Sequence, residues 1–342
     1  MKNSTVNAPR RALFRLAGTA AATAIASPSW AATGSRAAGT PLVHSSKLTA
    51  DPCTYYDLIE PAGGSKKPPM LLISGGAHSG SCYLSTADGR PGWAYAFARR
   101  GYKVAVADWA GCGRSGYVPN DKLNGEMVVA GLGKVLESLG QPAIVMTHSM
   151  SGAYGWKLLE KYGQRIAKVV GVAPSPPGNI QTAPEILQET EETIDVQLFK
   201  GGSVLKLSRK TPFVSSRGFV DQKLIGASKL FPRDSAARYA ASLIAIPPRL
   251  ILERVNIGGS QLKVSDFSNY AGKRVLILTG TDDIDHPVNI DKPIADWLNE
   301  NGAKADFLYL GDKGINGNGH MMMLESNSDA LAGLIASWIE KA

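Results

Sequence analysis

The sequence predicts an α/β protein: a mostly parallel sheet flanked by helices, with a helical cap inserted between the sixth and seventh strands. Three observations predict it. Short apolar runs alternate with amphipathic ones from residue 41 to residue 173. The alternation stops over 175–272 and returns from 273 onward. Of 342 residues, 44% are hydrophobic and 19% charged, too apolar for a disordered chain and enough to bury one large core.

Residues 1–31 stand apart from that pattern. Lys2, Arg10, Arg11 and Arg15 make a basic start with no acid, an alanine-rich stretch follows, and Ser29, Trp30 and Ala31 form a small-x-small cleavage site. This reads as an export signal, with the mature chain starting at Ala32. The run Arg10, Arg11, Ala12, Leu13, Phe14 resembles a twin-arginine signal. An ordinary secretory signal with two adjacent arginines reads the same residues. The apolar run is shorter than the ~20 residues a membrane-spanning helix needs, so no stable membrane anchor is expected after signal removal. Either route puts the mature protein in the periplasm or outside the cell. Without the signal, 33 basic residues face 29 acidic ones, with no run of five basic residues, so a nucleic-acid partner is not expected. Three cysteines exclude a disulfide-scaffold mini-protein.

The elements follow in order. Residues 41–49, 53–60 and 69–74 read as strands, 91–100 as a helix, and 103–108 as a buried strand. Met127, Val128, Leu132, Val135, Leu136 and Leu139 give 122–139 a helical period. Strand 143–148, helix 150–166 and strand 167–173 come next. Residues 175–272 hold helix-like pieces at 183–198 and 234–246 between Pro/Gly-rich joints. No linker-like composition bounds them, so they read as a cap on a single core made of 32–174 and 273–342. Strand 273–279, helix 288–301, strand 305–310 and helix 328–341 complete that core.

Four loops carry candidate chemistry. In 145–152 a serine, Ser149, joins a strand to a helix within Thr147-x-Ser149-x-Ser151. Such a sharp turn needs small residues two before and two after the serine. Ser151 meets that need and Thr147 is bulkier. The same residues also read as a helix N-cap. Ser74, Gly75, Gly76, Ala77 and His78 follow the third strand. An N–H of Gly76 or Ala77 there, with that of Met150, can make an oxyanion hole, and the loop reads equally as a flexible turn. His320 ends a glycine-rich loop between the last strand and the last helix, where a base can reach over the sheet edge. Thr279 to Pro287 hold Asp282, Asp283 and Asp285, where an acid can orient that histidine.

The chain order Ser149, Asp283, His320, each after a strand, resembles the α/β-hydrolase superfamily over nearly all of 41–342. The stretches 85–93 (STADGRPGW), 108–115 (DWAGCGRS) and 317–325 (GNGHMMMLE) resemble secreted bacterial serine esterases more narrowly. The resemblance implies a catalytic Ser149–His320–Asp283 triad, an oxyanion hole at Gly76 and Met150, and a small-molecule ester as substrate. It implies no cofactor. It favours Asp283 over its neighbours, because Asp283 stands three after Gly280 and four before Pro287. Some relatives place the acid after the sixth strand, but Val172, Ala173 and Pro174 offer no carboxylate here. Departures are Thr147, and Ser74 where many relatives have histidine. Lactone, amide or carbon–carbon bond hydrolysis and acyl transfer use the same triad. A non-catalytic binding protein on the same fold is the reading from another class.

The remaining candidates have structural readings. His148 packs beside the sheet, His78 is a loop histidine or a substrate contact, and His286 is exposed. Asp108 organises the turn after its strand. Asp282, Asp283, Asp285 and His286 match no metal-ligand pattern, so no metal is expected. Met321 to Met323 pack. Cys82 and Cys112 lie in loops that neighbour each other in this fold, so they either bridge, leaving Cys53 free, or all three thiols are free. Phe199, Phe213, Phe219, Phe231 and Tyr239 line an apolar pocket or form the cap's own core.

Overall fold

The computed structural model describes residues 40–198 and 204–341. The expected signal, its cleavage point at Ala32, and Phe199 lie outside those residues. Among the described residues the main sheet has eight strands. They are β1 (Leu42–Leu48), β2 (Tyr55–Pro61), β3 (Met70–Ile73), β4 (Val104–Ala107), β5 (Ala143–His148), β6 (Ile166–Val172), β10 (Arg274–Thr279) and β11 (Lys304–Tyr309), with β7 to β9 in the insertion. Their spatial order is β1-β2-β4-β3-β5-β6-β10-β11. β2 runs antiparallel to β1 and β4, and every other neighbouring pair is parallel.

The sequence explains which strands lie inside. β3 (MLLI) and β4 (VAVA) are buried at every position, as expected for strands covered on both faces. Alternate residues feed two cores. Leu71, Ile73, Ala105 and Val145 face one, with helices α3 (Gly125–Ser138), α4 (Ser151–Tyr162) and α8 (Val288–Glu300). Met70, Leu72, Val106 and Met146 face the other, with α1 (Ser81–Leu84), α2 (Trp93–Arg99) and α9 (Ser328–Lys341). Met321, Met322 and Met323 are buried in this second core, so they are packing residues. None of the helices among the described residues is long and apolar enough to cross a membrane.

The chain leaves β3 for β4 on one side and later returns to β5 on the other. That reversal opens a crevice at the carboxyl ends of β3 and β5, where open α/β sheets hold their ligands. Ile73 and Thr147 are paired across it, so the loops that follow them emerge side by side.

The insertion between β6 and β10 carries the expected helices and, in addition, three strands. Residues 183–198, read from sequence as helix-like, form β7 (Glu185–Glu189) and β8 (Thr193–Gln197), which join β9 (Val204–Ser208) in an antiparallel sheet. The Thr190 hydroxyl accepts from the Glu192 and Thr193 N–H groups and makes the turn that breaks the helix. Ile194 and Val196 then alternate inward with period two. The helices α5 (Arg217–Phe219), α6 (Ala236–Ala241) and α7 (Pro248–Arg254) are short. Only part of 234–246 is therefore regular helix.

Candidate active site

Ser149 follows β5 directly and has φ of 50°, a left-handed value that strains a residue with a side chain. Its backbone is clamped in that state. Its N–H donates to Val172 O at 3.2 Å, and its carbonyl accepts from Gly152 and Ser175 N–H at 2.8 Å each. The Ser151 hydroxyl accepts from the His148 N–H at 2.9 Å and reaches Ile73 O at 3.0 Å, tying the turn to the end of β3. His148, Met150 and Ser151 are buried, while Ser149 is partly accessible. The turn therefore presents one serine to the crevice.

The bulk of Thr147 is absorbed elsewhere. A Cβ on Gly155, about one turn into the buried part of α4, would lie 2.7 Å from Thr147 Cγ2. A glycine on the facing helix makes room for the Thr147 side chain. Gly155→Ala should therefore lower stability by about 1–3 kcal/mol through overpacking. Thr147→Ala in the same chain should recover most of that loss, read as the shift in urea midpoint.

The loop after β3 lies against the turn. A Cβ on Gly75 would stand 2.7 Å from His148 Nδ1 and 3.0 Å from Ser149 Cβ, so only glycine allows this approach. Among the described residues, the N–H groups of Gly76, Ala77 and Met150 donate to no hydrogen bond. His78 donates Nδ1–H to Gly76 O at 2.7 Å, and its Nε2 accepts from the Tyr239 hydroxyl at 2.9 Å. Pinning that carbonyl points the N–H of the same peptide, that of Ala77, the opposite way. Burial lowers the His78 pKa to about 4, which keeps the ring neutral. The cap reaches this loop, with Ile244 N–H donating to Ala77 O at 2.9 Å.

The acid and base loops meet on the other side. His320 donates Nδ1–H to Asp283 Oδ2 at 2.8 Å, and both side chains are buried. Asp283 Oδ1 accepts from the Asp285 and His286 N–H groups at 3.0 and 3.1 Å. Burial works against the Asp283 carboxylate, but the His320 charge and hydrogen bond outweigh it and hold its pKa well below the usual range. Burial likewise disfavours a charged His320, yet Asp283 outweighs it and raises the imidazole above its ordinary value. His148 donates Nε2–H to His320 O at 2.9 Å, and the two rings lie 4.7 Å apart. Through His148 the base loop is fastened to the residue before Ser149.

Other expectations resolve here. His286 is not exposed. It is 2% accessible, because its Nδ1 reaches Asp291 on the first turn of α8 at 2.8 Å. Asp108 accepts from Gly80 N–H at 2.6 Å and Arg114 N–H at 2.8 Å, organising its own turn and the one after β3. Cys53, Cys82 and Cys112 are free thiols, and burial pushes Cys112 up to about 12. Phe231 and Tyr239 pack on each other at 5.2 Å in the second core, while Phe213 and Phe219 form a separate, partly accessible pair. A cleft of about 590 Å³ lined by Gly280, Thr281, Asp283, Asn289, Lys292 and Tyr309 abuts the acid, with neither Ser149 nor His320 in its wall.

The sequence reading assigned no role to Glu325, which is fully buried. Its carboxylate accepts from Gly319 N–H at 2.7 Å and from the Asn318 side chain and the Ser228 hydroxyl of the cap. It sets the path of the loop into His320. Burial raises its pKa. Arg90 donates to Glu325 O at 3.0 Å and Ser328 Oγ at 3.1 Å, so the 85–93 and 317–325 stretches lock together.

An eight-stranded sheet of this order, with a strained serine after β5 and an Asp–His pair from later loops, defines an α/β hydrolase. The chain belongs to the alpha/beta hydrolase fold family, whose sequence pattern matches residues 68–305. Hydrolase activity at the level of that superfamily comes with membership. The chain is 23% identical over 347 aligned positions to the "Probable secreted lipase phiG" of Fungal sp. (strain ATCC 74256), covering 84% of this chain and 85% of that protein. Solved structures share the fold. A novel bacterial esterase superposes with TM-score 0.53 at 17% identity, covering 89% of this chain and 96% of its own. An esterase from Thermogutta terrifontis gives 0.56 at 15% identity, covering 87% and 98%.

Proposed function

We propose that this chain is an exported serine hydrolase that cleaves a carboxylic ester, with Ser149 as nucleophile, His320 as base and Asp283 as its orienting acid. The observation that carries this reading is the 2.8 Å contact from His320 Nδ1 to Asp283 Oδ2, on a loop fastened beside the strained Ser149 turn. With Nδ1 protonated toward Asp283, Nε2 is the free base. It takes the Ser149 proton as Oγ attacks the ester carbonyl. The N–H groups of Met150 and of Gly76 or Ala77 stabilise the oxyanion, since they have no protein acceptor to give up. The imidazolium then protonates the leaving alcohol. A water deprotonated by the same Nε2 hydrolyses the acyl-enzyme.

The named activities of the relatives, a lipase and two esterases, support an ester as substrate. Turnover of a series of p-nitrophenyl esters graded by acyl length tests the reading. The expected result is hydrolysis of at least one member that disappears in Ser149→Ala. Equal rates in both chains would reject it. The pH profile carries a second expectation. The base works only when neutral, and its pKa is raised. Activity should therefore be lost as pH falls, with the acid limb of kcat/KM above the ordinary imidazole value of 6.5.

Export is part of the proposal. The basic start, the alanine-rich stretch and the Ser29–Ala31 site support it, as does the secreted relative. N-terminal sequencing of exported protein should begin at Ala32. Export that survives replacing Arg10 and Arg11 by Lys would leave the ordinary secretory route instead.

A further inference from the structure

Four of the five histidines form a row through the site. The His78 and His148 rings are 6.4 Å apart, His148 and His320 4.7 Å, and His320 and His286 5.2 Å. The last pair is nearly parallel, with 20° between the planes. His286 ends the row on a second buried carboxylate. Its Nδ1 contacts Asp291 Oδ1 at 2.8 Å, and Asp291 Oδ2 accepts from the Thr279 hydroxyl at 2.7 Å. The backbone N–H of His286 also donates to Asp283. One residue therefore touches the acid through its backbone and the base through its ring face.

We propose that the His286–Asp291 pair is a positioning pair for the base, holding the His320 ring flat and stabilising the imidazolium that forms on it. The proposal rests on the reading of Ser149, His320 and Asp283 given above. A fully buried carboxylate is costly unless it is paired and hydrogen-bonded; burial raises the Asp291 pKa, and the His286 and Thr279 contacts work against that rise. Here its two side-chain partners are the Thr279 hydroxyl and the His286 imidazole. Donating Nδ1–H to Asp291 enriches the His286 ring in electron density. Its face is then a favourable neighbour for a cation, as in cation–π contacts. The cation appears on His320 only as Ser149 gives up its proton. An interaction that strengthens at that moment lowers the barrier without tightening substrate binding.

The charged and titratable groups around His320 act as follows. Asp283 and Asp285 on the acid loop and Asp291 on α8 favour its charged form. Asp285 is paired with Lys223 of the cap. Arg254 of the cap is disfavoured as a cation by burial and favoured by the charges of Asp285 and Asp291. His148 and His78 both have lowered pKa values through burial and stay neutral. Glu325 lies behind the loop, bound to Gly319 and Ser228. Asp291 is the only one of the three acids that reaches His320 through another ring.

The test is an NMR titration of the His320 ring in the native chain and in Asp291→Asn, alongside the kcat/KM pH profile. Removing the charge should lower the His320 pKa by about one unit and move the acid limb to lower pH by the same amount. The plateau of kcat should fall about tenfold while KM holds. A lower plateau with an unmoved His320 pKa would mean a purely structural role and would overturn the proposal, as would no change in either. The NMR reading needs no turnover, so it judges the pair even if the ester reading fails. If Asp291→Asn does not fold, the ¹³C carboxyl resonance of Asp291 in the native chain serves. Coupling is reciprocal, so that resonance should inflect at the pH where His320 titrates. No inflection there would overturn the proposal equally.

Discussion

Ser149→Ala should fold like the native chain and lose turnover by about a millionfold, the scale seen when a triad nucleophile is removed. The loss is expected in kcat, because the proposed oxyanion donors at Met150 and the Gly76–Ala77 loop remain. The fold should survive. The Ser149 clamp is made by its backbone N–H and C=O, with Val172, Gly152 and Ser175, and alanine keeps both groups. Neighbouring serines are poor substitutes. The Ser151 hydroxyl is buried and committed to His148 and Ile73. Ser79 is engaged with Ser81 at 2.8 Å in the loop after β3. Circular dichroism and thermal melting check the fold, and ester turnover checks the loss.

Asp283→Asn should cost roughly 10⁴-fold in turnover, with smaller losses for Asp282→Asn and Asp285→Asn. An amide at 283 can donate to Nδ1 and so stabilise the tautomer that places the proton on Nε2, the wrong nitrogen. It also removes the charge that supports the imidazolium. The neighbours are occupied differently. Asp282 Oδ1 accepts from the Thr281 hydroxyl at 2.9 Å and its other oxygen lies 3.5 Å from Lys229. Asp285 pairs with Lys223. A collapse of turnover in either neighbour, with Asp283→Asn near native, would move the acid there.

The parts of this account that sequence carried are those written in local pattern. β3, β4 and β5 are short apolar runs bounded by glycine or polar turns; β3 and β4 are one residue shorter at each end than expected, and β5 has the expected bounds. Ser149, Asp283 and His320 could be picked as candidates because Ser149 and Asp283 stand on loops just after strands and His320 on a glycine-rich loop before the last helix. The cap was less so. Its 183–198 segment is rich in Glu, which favours helix, and its strands are fixed by pairing, β7 with β8 and β8 with β9. Residues that act through distant partners left no local trace. Glu325 matters because Gly319 and Ser228 converge on it, and His286 is buried because α8 brings Asp291 to its ring. Gly155 answers Thr147 only once α4 has packed on β5.

The central claim is that Ser149 is the activated nucleophile. Labelling the intact protein with a fluorophosphonate probe, followed by peptide mapping, tests it most directly. The account predicts a single phosphonylated serine, Ser149, with labelling abolished in Ser149→Ala and greatly slowed in Asp283→Asn. Labelling at Ser79 or Ser151, or a native chain that does not label at all, would contradict it.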